Sequence, residues 1–466
     1  MLLFLQAAPL LLLLALLLSG RAGPVAAVCA ALLAAMPAAL VSLPAGVDGA
    51  AFLGAEALRA VFLAAQPIGV VVGGLLFHAA VTRDGTAAAA RPEPRRIFVA
   101  TLLMGAFMES VTGFAVGAVF ALAALRGMGI GGAPAGALAL LSLCLVPWGG
   151  LGPGTSLGAA LIGLPAQEVA RVASVPNAAW LMVLVPVLWR LCAAAGIAVP
   201  ARERAAQLAI MGVAAALLVA GHAVLPFEVL GILATGLPLL YALWRLDPPG
   251  DAIAWRRALR VLAPYVLLTA GLLAARAVPD PPALRPWMDL PAFPVTHVAV
   301  VLWIVASALL LATADPRRRA GGALRRAGRP ALVLLLYVLL ARVLAGSGAT
   351  AALAQAAADA LGPLAPYAVP PLGLLSGVVT GSNVGSNAAL MPVQYRLGLA
   401  AGLPPLLAPG VHNFAGAAGA GMSFAVAALV CGLLADGTRP AQLWRLLLPS
   451  LLAVVAIGWI TMALMA

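Results

Sequence analysis

Apolar runs follow one another along almost the whole chain, and the short links between them carry arginine. An α-helix needs about 20 predominantly apolar residues to cross a hydrocarbon core about 30 Å thick. Apolar runs cover residues 2–18, 22–43, 54–80, 97–125, 131–149, 177–195, 206–225, 227–244, 259–277, 296–313, 331–346, 371–393, 404–434 and 441–464. Lipid offers no partner to backbone N–H and C=O groups, so segments of this kind are helices. The alternation expected of a transmembrane barrel is absent. With 64% hydrophobic and 9% charged residues, against about 25% charged in soluble domains, a water-soluble enzyme is excluded. No basic residue precedes the first run, since the first arginine is Arg21, so that run reads as a retained span rather than a signal peptide.

The net charge of +12 comes from arginine alone, because none of the 27 basic residues is lysine. The arginines cluster between apolar runs, which marks membrane topology and not nucleic-acid binding. Four basic links, Arg83 to Arg96, Arg190 to Arg204, Arg245 to Arg260 and Arg317 to Arg329, are expected on the cytoplasmic side, and the Pro-rich link 279–295 on the other. The cysteines (Cys29, Cys144, Cys192, Cys431) form no CxxC pair, and His78, His222, His297 and His412 are dispersed. No disulfide framework, metal site or cofactor is expected.

Two zones differ from ordinary lipid-facing helices: Ile97 to about Leu164, and Pro371 to about Leu434. Both are crowded with Gly, Pro, Ser and Thr, and such breaks survive in a membrane only where backbone is buried in protein or lines a cavity. Each zone opens with a polar-interrupted segment, Glu109 to Phe114 and Thr380 to Asn387, and has a second Gly-rich break further on, at 150–156 and 413–423. Paired interruptions of this kind point to the binding site of a secondary transporter. The expected architecture is all-α and polytopic, with about twelve transmembrane helices. It holds two inverted repeats with broken helices or re-entrant hairpins. The expected divisions are N-terminal spans (1–96), a first broken-helix unit (97–205), connecting spans (206–330) and a second broken-helix unit (331–466).

Glu109 is the sole charged residue between Arg96 and Arg126. A carboxylate at membrane depth is costly unless protonated, paired or hydrated, which makes it the candidate proton-coupling group. Ser110, Thr112 and Gly113 follow it in the same segment. In the second zone the candidates for substrate binding are Thr380, Gly381, Ser382, Asn383, Ser386, Asn387, Gln394 and Asn413. Three of the four asparagines in the chain fall between 383 and 413, and a hairpin tip there would offer amide, hydroxyl and backbone donors to an anion. Arg342 stands about 20 Å along a helix from Arg329 and is a candidate counter-charge. Ser156 lies in a GxSxG string without the strand–turn–helix context of a hydrolase elbow, so a membrane-embedded serine hydrolase is the rival reading from another class.

The run GAFMESVTGF (105–114) resembles the EGxxGF segment of the bacterial L-lactate permease family. SGAT (347–350) and TGSNVGSNAALMPVQ (380–394) resemble its second signature, which typically reads TGSDxxSN with a Gln further on. The resemblance implies a non-enzymatic, proton-coupled carrier of small 2-hydroxymonocarboxylates such as lactate and glycolate. It also implies a bacterial inner-membrane location, lipid as surroundings and an elevator-type motion between inverted repeats. Oligomeric state is left open. Carried over by position, Glu109, Gly113, Thr380, Gly381, Ser382, Ser386, Asn387 and Gln394 match the family pattern. Asn383 stands where the family usually has Asp, and 416–423 lacks the Lys common there. A sodium-coupled carrier, or one for a sulfonate or dicarboxylate, is therefore the alternative.

Overall fold

The computed structural model describes residues 2–19, 21–82, 91–113 and 115–466. Most of the first basic link (83–90) and Phe114 of the first signature lie outside the described residues. Three helices open the chain, α1 (Leu2–Leu18), α2 (Pro24–Ser42) and α3 (Gly49–Val81). A short α4 (Pro94–Phe98) runs through a π-helical stretch, Val99–Gly105, into α5 (Ala106–Thr112), followed by α6 (Val116–Gly127). Next come α7 (Gly132–Leu141), α8 (Pro153–Ile162) and the long α9 (Ala166–Ala194). The connecting spans are α10 (Ala201–Ala220), α11 (Phe227–Leu246), α12 (Ala252–Arg276) and α13 (Val298–Leu311). Between the last two, Ala283 pairs with Pro294 and Leu284 with Phe293 in a two-residue antiparallel ladder. The C-terminal part holds α14 (Pro316–Gly346), α15 (Ala349–Leu361), α16 (Val369–Thr380), α17 (Asn383–Ala400), α18 (Leu407–Gly421), α19 (Phe424–Leu434) and α20 (Pro440–Met465).

Among the described residues, ten helices or helix pairs are long and apolar enough to cross a membrane, and four apolar helices are shorter. The protein is an all-α, multi-pass membrane protein. The expected interruptions are real breaks. Gly113 (φ 70°) ends α5 and Gly381 (φ 70°) ends α16, each in a backbone region that a side chain disfavours. One expectation is corrected: the basic link 317–329 is not a loop but the first turns of α14. Asp315 caps it by accepting from Arg318 N at 3.2 Å, and Pro316 fits the first turn. At 31 residues, or about 46 Å, α14 is longer than a bilayer core, so its arginine turns extend beyond it.

Ion pairs sort the helix ends. At the basic end, Arg319 donates to Ala79 O and Thr82 O at 2.9 and 2.8 Å, and Glu203 meets Arg95 at 3.1 Å and Arg245 at 4.0 Å. Arg126 reaches Leu433 O at 2.9 Å, and Arg190 donates to Leu446 O. Asp436 accepts from Gly132 N, and its carboxyl is held below the usual range by the Thr438 hydroxyl, the Thr438 N–H and that Gly132 N–H. At the opposite end Arg59 lies 3.8 Å from Asp289, Trp459 donates to Tyr367 O at 2.8 Å, and Val369 packs with Val172, Leu403 and Met462. The described parts of the basic links therefore share one end, and the 279–295 link sits at the other.

This polarity makes the two hairpins inverted. The α4–α5 arm and α6 have their ends at the basic end. They fold back on each other so closely that a Cβ on Gly117 would overlap Gly105 O. The arms α16 and α17 start and finish at the opposite end, and Ser376 Oγ donates across the hairpin to Ser386 O at 3.3 Å. Each hairpin is followed by a broken span, α7–α8 in the first unit and α18–α19 in the second. The four breaks converge: Leu151 N donates to Ser110 O at 3.0 Å, and a Cβ on Gly154 would touch Asn383.

Candidate functional site

A cavity of about 650 Å³ lies where the two tips meet. Glu109, Gly113 and Ala115 line it from the first hairpin, and Thr380 through Gly385 from the second; α14 and the 143–150 link close it. Glu109 is held by the start of the returning arm, its Oε1 accepting from Ala115 N at 3.3 Å and its Oε2 from Gly117 N at 3.2 Å. The positive end of α6 thus faces a carboxylate. In the second hairpin α17 also begins at the cavity, but the Ser382 side chain does not cap it. Asn383, Val384 and Gly385, the first residues of α17, all stand in the cavity wall.

Behind the tips lies an amide cluster centred on Asn413 in α18. Its Oδ1 accepts from Asn387 Nδ2 at 2.7 Å, Thr155 Oγ1 at 3.0 Å and Asn383 Nδ2 at 3.2 Å. Both Asn413 Nδ2 and Asn383 Nδ2 donate to Pro147 O, at 3.0 and 3.2 Å. One buried oxygen thereby ties α8, α17 and α18 together, and the same amides tie the first unit's 142–152 link to the second hairpin. Asn383 Oδ1 and Asn387 Oδ1 are buried and have no hydrogen-bond partner among the described residues.

Not every candidate faces the cavity. Glu109, Gly113, Thr380, Gly381, Ser382 and Asn383 line it; Ser110, Thr112, Ser386, Asn387, Gln394 and Asn413 do not. Ser110 Oγ donates to Phe107 O at 2.8 Å and meets Thr235 of α11 at 3.2 Å, whereas Thr112 bonds back to Met108 O at 2.7 Å. Thr380 Oγ1 is spent on Ser376 O and Ser382 O, at 2.7 and 3.1 Å. Ser386 lies 3.5 Å from Nε2 of the buried His412. With its NH₂ donating to Val369 O, the Gln394 oxygen accepts from His412 Nδ1 at 3.2 Å and Gly373 N at 3.1 Å. These residues brace the hairpin from behind.

Arg342 is placed elsewhere. Its Nη2 stands 2.6 Å from Glu56 Oε2, and Glu56 Oε1 is 2.9 Å from Arg59, so its charge is met within the protein and it is absent from the cavity wall. Among the described residues the arginine that lines the wall is Arg329, in the basic segment read above as a topology signal. Tyr337, Thr155 and His412 were also not singled out from sequence; only His412, adjacent to Asn413, carried a signal that could have done so. Ser156 and His297 share a crevice of about 10 Å³, too small for a substrate, and His297 Nδ1 accepts from Ala299 N at 3.2 Å as the cap of α13. Among the described residues no three His, Cys, Asp or Glu side chains gather as metal ligands.

No curated protein matches the chain in sequence. Among solved structures, the chain is similar to the YdaH transporter of Alcanivorax borkumensis, with 14% identity over 79% of this chain and 84% of that one and a TM-score of 0.34. The resemblance of the second signature is borne out independently: residues 257–466, which hold α14, the second hairpin and the centre of the amide cluster, match the L-lactate permease family, and the first signature (105–114) lies outside the matched residues.

Proposed function

We propose that the protein is a secondary transporter that carries a small 2-hydroxymonocarboxylate, such as lactate or glycolate, together with a proton. The family match supports the substrate class, and one comparison between the hairpins carries the reading. In the first hairpin the start of the returning arm holds the Glu109 carboxylate. In the second the start of α17 faces the same cavity with its first residues uncapped by Ser382. A substrate carboxylate there would take the place that Glu109 holds in the first, with backbone N–H groups and the helix dipole stabilising it. Glu109, across the cavity, is the group to take up the coupled proton. The units 97–205 and 331–466 would move together against the remaining spans in an elevator-type motion, with the basic end in the bacterial cytoplasm.

Sodium coupling is the second reading, favoured by the buried, unpartnered oxygens of Asn383 and Asn387, since oxygen ligands suit a hard cation. The deciding experiment is uptake into proteoliposomes of labelled lactate, glycolate, a sulfonate and a dicarboxylate, with proton and sodium gradients imposed separately. Monocarboxylate accumulation driven by an inward proton gradient is expected. Accumulation driven by sodium alone transfers the coupling role to the asparagine oxygens, and transport of none of the monocarboxylates defeats the proposal.

A further inference from the structure

Helix α14 presents a single stripe to the cavity, with Arg329, Val333 and Tyr337 at four-residue spacing in its wall. Tyr337 is 1% exposed, and its ring lies against the tip of the second hairpin, where a Cβ on Gly385 would be 3.3 Å from Cε2. Its hydroxyl has no hydrogen-bond partner among the described residues. A buried phenol normally finds one, and phenylalanine would fill the same apolar contacts without the cost of the hydroxyl. At the other end of the stripe, Arg329 is exposed and, among the described residues, is the one arginine in the wall; Glu109 is the other charged residue there. Arg329 and Tyr337 are eight residues apart on α14, about 12 Å along the axis. The Arg329 guanidinium turns toward the start of α2, where a Cβ on Gly23 would be 3.3 Å from its Nη2.

We infer that Tyr337 is a substrate-contacting residue whose O–H donates to the carboxylate held at the start of α17, and that Arg329 draws the anion into the cavity. The inference rests on the monocarboxylate reading above. It divides recognition between two helices: the hairpin supplies backbone donors, and α14 supplies one neutral hydroxyl and one long-range positive charge. Keeping the guanidinium away from the bound carboxylate lets the site release its anion.

The test is lactate affinity and initial uptake in Tyr337→Phe, Arg329→Gln and Arg326→Gln. Loss of a hydrogen bond to a charged group should make Tyr337→Phe bind about ten- to a hundredfold more weakly, with uptake recovering at high lactate. Arg329→Gln should slow uptake at low salt and converge with the parent at high salt, because a recruiting charge is screened. Arg326→Gln, on the same basic segment but outside the wall, should match the parent. Fluorotyrosine placed at 337 keeps the hydroxyl, and its fluorine resonance should move on saturation with lactate. Parent-like affinity in Tyr337→Phe, or a fluorine signal indifferent to lactate, overturns the inference while leaving a transporting parent intact. A parent that transports no monocarboxylate removes the underlying reading and this one with it.

Discussion

Asn387 Nδ2 stands 2.7 Å from Asn413 Oδ1 and joins the returning arm of the second hairpin to the broken span behind it. The amide is 0% exposed and outside the cavity wall, so under the proposed function it acts on substrate by placing the start of α17. Asn387→Ala is expected to weaken substrate binding about tenfold while costing about 1–3 kcal/mol of stability, the usual penalty for a lost buried hydrogen bond. Asn387→Asp keeps the shape but sets an acceptor against an acceptor, and should be worse. Equilibrium binding alongside thermal unfolding checks this; a stable Asn387→Ala with parent affinity would reduce the cluster to packing.

Glu109 is the sole carboxylate in the cavity wall among the described residues. Glu109→Gln is fixed neutral, and its NH₂ must face one of the two backbone N–H groups that the carboxylate accepts from. The mutant is expected to exchange labelled for unlabelled substrate but not to concentrate it, and its uptake should lose the parent's pH dependence. Counterflow and proton-driven uptake measured side by side decide the matter. Full gradient-driven accumulation in Glu109→Gln would make it a structural cap for α6.

The Glu56–Arg342 pair should behave as scaffold. Its side chains are 4% and 14% exposed, and removing one partner of a buried pair costs about 3–5 kcal/mol. Arg342→Met is expected near the lower end of that range, since Arg59 still meets Glu56 at 2.9 Å. Glu56→Leu combined with Arg342→Met should recover most of the loss. Thermal melting in detergent measures both. A raised KM for lactate in the double mutant, with stability recovered, would return Arg342 to the site.

The polarity of the helix ends predicts labelling. In a Cys-free background, Asp247→Cys and Gly322→Cys should react with an impermeant thiol reagent from one side and Arg285→Cys from the other. Glu203, bridging Arg95 and Arg245, and Arg319 on Thr82 O fix the first side. Labelling of residues 285 and 322 from one side would undo the inversion of the two hairpins.

Much of this protein was legible along the chain because it is written in local chemistry. Apolar runs specify helices wherever lipid is the solvent, and Gly113 and Gly381 mark the hairpin tips through the positive φ that only glycine adopts readily. The isolation of Glu109 among uncharged neighbours singled it out before any contact was known. Tertiary packing decided which way each polar side chain looks. Ser110 and Asn387 lie one and two residues from groups in the cavity wall, yet they turn toward Thr235 and Asn413. Thirteen residues separate Arg329 from Arg342, and the neighbour supplied by α3 pairs one while the other is left at the cavity. Helices that are apolar on every side carry almost no record of which face meets protein and which meets lipid. That choice is made only when helices distant in sequence close around one another.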